Sequence, residues 1–239
     1  MAIFKEPEAM IENRLLAKIP KKEYKQLAPD LEQVTLSLAE VLYKPGDSFR
    51  HVYFPNTAIV SLLSTPVEGS ADLGVSVVGN EGMVGLSVFL GVKTSLNRVI
   101  VQGEGTAIRM KASALQRHFN HGGPLQHALQ RYTHALLTQI SQTVACTRFH
   151  LIEERLLCWL LMTHDRMLSD EIRIKHEFIS SLLGVRREAI TRALSDMQKK
   201  KLISYSREKI TILDRTELEV AACKCYGIVK KEYDQYLGL

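Results

Sequence analysis

Residues 178–197 read Phe-Ile-Ser-Ser-Leu-Leu-Gly-Val-Arg-Arg-Glu-Ala-Ile-Thr-Arg-Ala-Leu-Ser-Asp-Met. Their apolar spacing predicts a helix, a tight turn and a second helix. Gly184 stands where the turn needs a residue that tolerates positive φ. Ile179, Leu183 and Val185 are apolar, and Ser180 is small where two helices must approach closely. In the second helix Ile190, Ala193, Leu194 and Met197 fall at i, i+3, i+4 and i+7. That is one face, built to pack on a core. The opposite face carries Arg187, Glu188, Thr191 and Arg192.

The polar face has the chemistry to read base edges. Arginine donates twice to guanine O6 and N7, and glutamate accepts from cytosine N4–H. A face meant for phosphate alone has no use for a carboxylate, which phosphate repels. Ion pairing with Arg187 and Arg192 would hold Glu188 in place. Beyond this helix, Lys201-Leu-Ile-Ser-Tyr-Ser-Arg-Glu-Lys-Ile-Thr-Ile-Leu predicts a β-hairpin turning near Ser206–Glu208. Arg207 and Lys209 then sit near its tip. Lys199, Lys200 and Lys201 suit a helix C-terminus by charge, and contact with phosphate is an equal reading. Residues 173–209 hold ten basic and four acidic side chains, an excess of +6 against +5 for the whole chain. The expected partner is double-stranded DNA. The expected contacts are Ser180, Arg186, Arg187, Glu188, Thr191, Arg192, Lys199, Arg207 and Lys209.

Upstream the pattern changes twice. Glu8 to Leu27 has helical spacing through Met10, Ile11, Leu15, Leu16 and Ile19, punctuated by Pro20 and Pro29. Six short β-rich runs follow, starting at Leu36, His51, Ala58, Leu73, Arg98 and Thr106, with Gly, Pro, Asn and Asp between them. Many short strands with regular turn signals predict a sandwich, roll or barrel. After Gly122-Gly-Pro124 the chain reads as helix to about Arg148. Leu125, Leu129, Tyr132 and Leu136 form one apolar stripe, and Leu137, Ile140 and Val144 a second. Two stripes need two partners, expected to be the β domain and a second copy of the chain. The first stripe has the spacing of a short coiled-coil seam, which makes Leu125, Leu129, Tyr132 and Leu136 the expected dimer interface. A further helix is expected over Leu151–Met167, and a last one from Thr216, where Thr-Glu-Leu-Glu has capping-box spacing.

Other classes find little support. The N-terminus lacks the basic and apolar regions of a signal peptide, and no apolar run approaches a membrane span, so a cytoplasmic protein with no membrane partner is expected. Cys146, Cys158, Cys223 and Cys225 are then reduced thiols. Cys223-x-Cys225 resembles half a metal site, but no second pair has partner spacing, so no metal is expected. Walker, Gly-x-Ser-x-Gly and paired-histidine motifs are absent, so no enzyme and no cofactor are expected.

These residues, in this order, resemble the Crp/Fnr family of bacterial regulators over nearly the whole chain. The match is strongest at Gly184-Val-Arg-Arg-Glu-Ala-Ile-Thr-Arg, where the family's Arg-Glu-x-x-x-Arg pattern falls on Arg187, Glu188 and Arg192. The resemblance implies an α+β fold: an N-terminal β-roll of jelly-roll type, a long central dimerisation helix and a C-terminal winged helix. The implied domains are a cyclic-nucleotide-binding-like sensor over 1–122, a dimerisation helix over 123–149 and a winged helix-turn-helix over 150–239. It also implies a homodimer on a pseudo-palindrome with TGA-type half-sites, a hinge near Arg148–Glu153, and RNA polymerase and a small-molecule effector as further partners. Lys44-Pro-Gly-Asp47 looks like an early β-roll turn, and Gly82-Met-Val-Gly-Leu86 looks like the phosphate-binding cassette. The implied effector pocket is Gly82, Met83, Val84 and Gly85, with Arg98 as the candidate phosphate partner. Met83 replaces the ribose-binding glutamate, and a thioether cannot take over that hydrogen bond, so cyclic AMP is not the expected ligand. The N-terminal cysteine cluster that an iron–sulfur member would need is missing, since no cysteine occurs before Cys146, and His51, His118 and His121 match no haem-ligand pattern. The competing reading is a ligand-sensing or protein-interaction module that does not act on DNA directly.

Overall fold

Short strands with frequent turns and a following helical half build an α+β chain, as expected. The computed structural model describes residues 12–64, 72–167 and 169–237. Two short helices open it, α1 (Arg14–Ala17) and α2 (Lys21–Leu27). Pro20 divides what the spacing read as one helix, since its ring fixes φ and its nitrogen cannot donate. Met10 and Ile11, part of the same expectation, lie outside the described residues.

Seven strands follow: β1 (Leu31–Leu36), β2 (Val41–Tyr43), β3 (His51–Pro55), β4 (Ile59–Ser64), β5 (Leu73–Val78), β6 (Arg98–Gly103) and β7 (Gly105–Lys111). They form two antiparallel sheets, ordered β1-β7-β3 and β2-β6-β4-β5. The run from Leu36 was expected to be one strand. It is instead the end of β1, a turn holding Ala39 at φ 63, and the start of β2. The turn is closed by Ser37 N–H donating to the Glu40 carboxylate at 2.9 Å. Side chains from both sheets, among them Leu36, Val52, Phe54, Val60, Val99 and Met110, share one apolar core.

Strand β4 is buried on both faces, which its apolar run Ile59-Val60-Ser61-Leu62-Leu63 anticipates. Val60 points into the first core, whereas Leu63 and Ile100 join a second core built by the C-terminal half. The outer face of the four-stranded sheet is therefore a docking surface within the chain. Polar side chains meet there as well: Ser61 donates to Gln102 at 2.6 Å, and Gln102 to Thr163 at 3.4 Å.

The helical half contains α3 (Ala112–Asn120), α4 (Pro124–Phe149), α5 (Ile152–His164), α6 (His176–Leu183) and α7 (Arg187–Lys199). A three-stranded sheet ordered β8-β10-β9 flanks α6 and α7, with β8 (Glu171–Arg173), β9 (Ile203–Ser206) and β10 (Lys209–Ile212). Strand β8 is too short for a periodic signal and forms only by pairing with β10. The chain ends in α8 (Arg215–Ala221) and α9 (Lys224–Leu237). Asp214, not Thr216, caps α8, accepting from Glu217 N–H at 3.0 Å. A break at Ala222-Cys223 lets α9 run back along α4, so that Val229 and Tyr233 join the first core. No helix among the described residues is long and apolar enough to cross a membrane.

One buried ion pair ties these parts together. Arg166, just past α5, donates Nε to Glu81 at 2.7 Å, with side-chain exposures of 5% and 3%. Its other nitrogens reach Met162 O at 2.6 Å and Gln139 Oε1 at 3.2 Å. Tyr233 also donates to Gln139 Oε1, at 2.8 Å, and its ring lies 5.1 Å from the guanidinium. Gly79 N–H donates to the Glu81 carboxylate at 3.0 Å. Burial alone would lower the Arg166 pKa, but the charge and hydrogen bond of Glu81, with Tyr233 and Asp165, together outweigh it and the net shift is upward. Removing one partner strands a buried charge, which costs about 3–5 kcal/mol. Arg166→Met and Glu81→Gln should each destabilise the chain by that order in urea unfolding. The double variant should lose clearly less than the sum.

Candidate nucleic-acid interface

The turn between α6 and α7 is made by Gly184 at φ 62, ψ 40. Its N–H bonds Ser181 O at 3.1 Å, and Val185 N–H bonds Ser180 O at 3.0 Å, closing α6 with a left-handed cap. A Cβ there would lie 2.8 Å from Leu73 Cδ1 of β5, so the left-handed backbone and the close neighbour both favour glycine. Arg155 holds the turn from below, donating to Leu183 O. The face Ile190, Ala193, Leu194 and Met197 is buried as its spacing requires.

Arg186, Arg187, Glu188, Thr191 and Arg192 are all exposed on the other side of α7. Glu188 lies in the first turn, where a carboxylate also suits the helix dipole. It is not held by Arg187, as the sequence suggested. Arg187 bonds Glu177 of α6 at 2.7 Å, the acid its side chain meets across the turn. Thr191 contacts His176 Nδ1 at 3.1 Å and donates to Arg187 O at 3.2 Å. Among the described residues Arg186, Arg192 and Arg207 make no ion pair, which leaves them able to meet an anion. The lysines differ: Lys199 bonds Asp196 at 3.0 Å, Lys200 bonds Glu153 at 2.6 Å and Lys209 bonds Glu171 at 2.5 Å. Ser180 is half-buried and donates to Glu177 O at 2.8 Å within its own helix.

The β9–β10 hairpin turns at Arg207 and Glu208, at φ 48 and φ 66. Two left-handed central residues mark the hairpin turn that normally takes Asn-Gly. Arg207 is thus held exposed at the tip despite its backbone strain.

Two expectations about the N-terminal half need correction. Gly82, Met83, Val84 and Gly85 do not line an open pocket. Met83 and Val84 are 1% exposed, and Val84 pairs with Tyr53 of β3. A Cβ on Gly82 would fall 2.2 Å from the Tyr132 ring, whose hydroxyl donates to Met83 O at 3.0 Å. Gly85 sits at φ 94 against Val52. Arg98 lies at the start of β6 in the other sheet and is engaged by Asp72 at 2.8 Å. The cassette-like segment is packed solid because α4 presses directly on it. The space under α4 beside Gln139 and Cys146 is about 60 Å³, room for a few waters and not for a nucleotide. A larger cleft of about 700 Å³ opens between Leu38, Val101 and Phe178 and the hairpin at Arg207–Lys209.

The dimer stripe is the second correction. Leu125, Leu129, Tyr132 and Leu136 are 0–4% exposed within the single chain, packed on the β domain. They are not available to a second copy. The other stripe is: Leu137 is 58% and Val144 66% exposed, with Ile140 half-buried between them. Gln139, on the same helix, is fully buried and donates to Val77 O at 3.2 Å.

The half-site at Cys223 and Cys225 is also not alone. Cys146 and His150, one turn apart at the end of α4, meet it, and the four ligand atoms all lie within 4.8 Å of one another. Cys-x-x-x-His, with the cysteine in the last turn of α4 and the histidine just past it, was the available signal. A hydrogen bond from Cys158 draws the Cys223 thiol down to about 5, while the bonds of Cys158 to Cys146 and then to Cys223 push its own thiol up.

His176 couples these elements to pH. It is buried beside α7 and stacked on Tyr205 of β9 at 4.6 Å. Desolvation lowers its pKa, Arg187 adds to that, and Glu177 and Glu208 oppose it. The unfolded chain therefore binds the proton more readily. Its stabilising contribution is complete above the unfolded value of about 6.5 and is lost as pH falls through the lower folded value. Thermal unfolding should show lower stability at pH 5 than at pH 7.5, and His176→Gln should flatten that dependence.

Comparison with known proteins agrees with this geometry. Residues 154–221 match the model of the Crp-like helix-turn-helix domain. No curated protein matches the chain. A transcriptional regulator of the Crp/Fnr family from Eubacterium rectale superposes with a TM-score of 0.66 at 18% identity, over 87% of this chain and 96% of that one. FixK2 from Bradyrhizobium japonicum gives 0.69 at 15%, over 81% and 98%. A CRP-family regulator from Thermus thermophilus gives 0.66 at 18%, over 80% and 96%. Residues 154–221 are thus a Crp-like helix-turn-helix domain, carried in a chain whose fold is that of these regulators.

Proposed function

We propose that two copies of this chain bind a pseudo-palindromic DNA site, with α7 of each in a major groove and the Arg207 hairpin beside it. The observation that carries this is the outward face of α7. It presents two arginines and a carboxylate on a rigid helix, behind a glycine turn, in a Crp-like helix-turn-helix. Arg187, Glu188 and Arg192 are the base-reading residues. Arg186, Arg207 and the lysines at 199 and 209 set the protein on the phosphates. The chain acts by binding and not by catalysis, in the cytoplasm, with RNA polymerase as its second partner.

Pairing of the two copies is assigned to the exposed stripe Leu137, Ile140 and Val144 of α4. Residues 123–149 then form the dimerisation helix between a sensor at 1–122 and the DNA-binding part at 150–239. A small molecule acting on the β domain is the proposed input. Its effect would pass to α7 through the sheet face at Ser61 and Gln102 and through Glu81–Arg166. The chain between α4 and α5 is extended at His150 and Leu151, which supplies the pivot.

Selection from a random duplex pool at a stated salt concentration tests this reading. The expected product is an inverted repeat with TGA-type half-sites. Arg192→Ala and Glu188→Ala should each cost about 1–3 kcal/mol on that site and relax the preference at one base position. Arg207→Ala should weaken all sequences alike and reduce the salt slope by about one. Equal, sequence-blind binding by every variant would instead support the protein-interaction reading. For the dimer, Leu137→Asp with Val144→Asp should give a monomer in light scattering and lose the full palindrome. A dimer that survives both changes would place the interface elsewhere.

A further inference from the structure

The end of α4 and the junction of α8 with α9 converge on four ligand atoms: Cys146 Sγ, His150 Nδ1, Cys223 Sγ and Cys225 Sγ. Cys146 Sγ lies 3.6 Å from Cys223 Sγ, and Cys225 Sγ lies 3.6 Å from His150 Nδ1. All four atoms lie within 4.8 Å of one another. A tetrahedral zinc ion, with bonds of about 2.3 Å to sulfur and about 2.0–2.1 Å to nitrogen, holds two sulfurs about 3.8 Å apart and a sulfur and a nitrogen about 3.6 Å apart. One sulfur–sulfur pair and one sulfur–nitrogen pair already stand near those separations, and the remaining pairs fall within 4.8 Å. An iron–sulfur cluster would spread its thiolates farther, with iron and sulfide between them, so this set has room for one ion.

We infer that Cys146, His150, Cys223 and Cys225 bind a single thiophilic divalent cation of the zinc class. Four protein ligands complete the tetrahedron and leave no open position, which makes the site structural. The donor set is soft, as zinc prefers and magnesium or calcium do not. The three cysteines are buried, while His150 is half-buried and gives an ion a way in from solvent. Cys223 immediately precedes α9, so the helix N-terminus favours its thiolate. Binding releases the thiol protons to solvent.

The location gives the site its consequence. His150 is the first residue past α4, at the break before α5, and Cys223 and Cys225 begin the helix that returns along α4. An ion there would fasten the C-terminal helix to the pivot between the two halves of the chain. It would hold the helix-turn-helix domain at one angle to α4.

The test uses the full-length protein purified under reducing conditions. Elemental analysis should find one zinc per chain, and cobalt substitution should give the intense visible bands of a tetrahedral thiolate site. Cys223→Ser and His150→Ala should each lose those bands, whereas Cys158→Ala, a neighbouring thiol outside the set, should keep them. A zinc chelator should lower the melting temperature of the parent chain and leave that of Cys223→Ser unchanged. A chain that holds no zinc and gives no tetrahedral cobalt spectrum would overturn the inference. So would cobalt bands indifferent to Cys223→Ser and His150→Ala, or bands lost only with Cys158→Ala. A Cys146–Cys223 disulfide in a metal-free native protein would replace the ion with a redox bond.

Discussion

Arg166 and Glu81 form the buried contact on which the arrangement of the two halves depends. The acid sits just before the cassette-like segment of the β domain, and the base sits at the end of α5. Gln139 of α4 and Tyr233 of α9 complete the network, so four separate segments meet in one hydrogen-bonded group. Such a pair adds little net stability, because the cost of removing both charges from water nearly cancels their attraction. What it adds is specificity. The helix-turn-helix domain cannot slide on the β domain without uncovering a charge in an apolar setting. Rotation at residues 150–151 must break the group as a unit, and discrete states, not graded bending, follow from that.

Helix α4 is the element that makes this geometry possible, because it is used on three sides. One side, with Leu125, Leu129, Tyr132 and Leu136, fills the core of the β domain. A second side receives α9, through Gln139 with Tyr233 and through Cys146 with Cys223. The third, with Leu137 and Val144, faces water. Packing on the first side is tight enough to close the cassette-like segment, since Tyr132 occupies the space above Gly82. A ligand of nucleotide size would need α4 to move, and α4 carries the pivot and two of the four metal-binding candidates. The β domain, the break after α4 and the helix-turn-helix are therefore mechanically one system.

Around the helix-turn-helix the local chemistry is divided between rigid and free groups. Arg187 and Thr191 are tied to α6 through Glu177 and His176, which fixes the first turn of α7. Arg192, Arg186 and Arg207 have no ion-pair partner among the described residues. The strained turn at Arg207 and Glu208 is kept although Asn-Gly would be easier to build, and it holds a cation exposed at the hairpin tip. Fixed positioning with unpaired charge is what binding of a polyanion requires.

Local patterns in the chain determined much of this. The period-3.6 face of Ile190, Ala193, Leu194 and Met197, the glycine at 184 and the hairpin at 207–208 each follow from short-range rules, because a helix face or a turn is decided by neighbours within a few residues. The same holds for most strands of the β domain. What only the tertiary structure decided is partnership. Spacing alone could not say which α4 stripe meets the β domain, because both stripes are apolar and helical; packing against Tyr132's neighbours chose the first. It could not pair Arg187 with Glu177 over Glu188, join Glu81 to Arg166 across 85 positions, or bring Cys146 and His150 to Cys223 and Cys225. Those contacts depend on how distant segments fold back on one another, and chain separation carries no periodic trace of that.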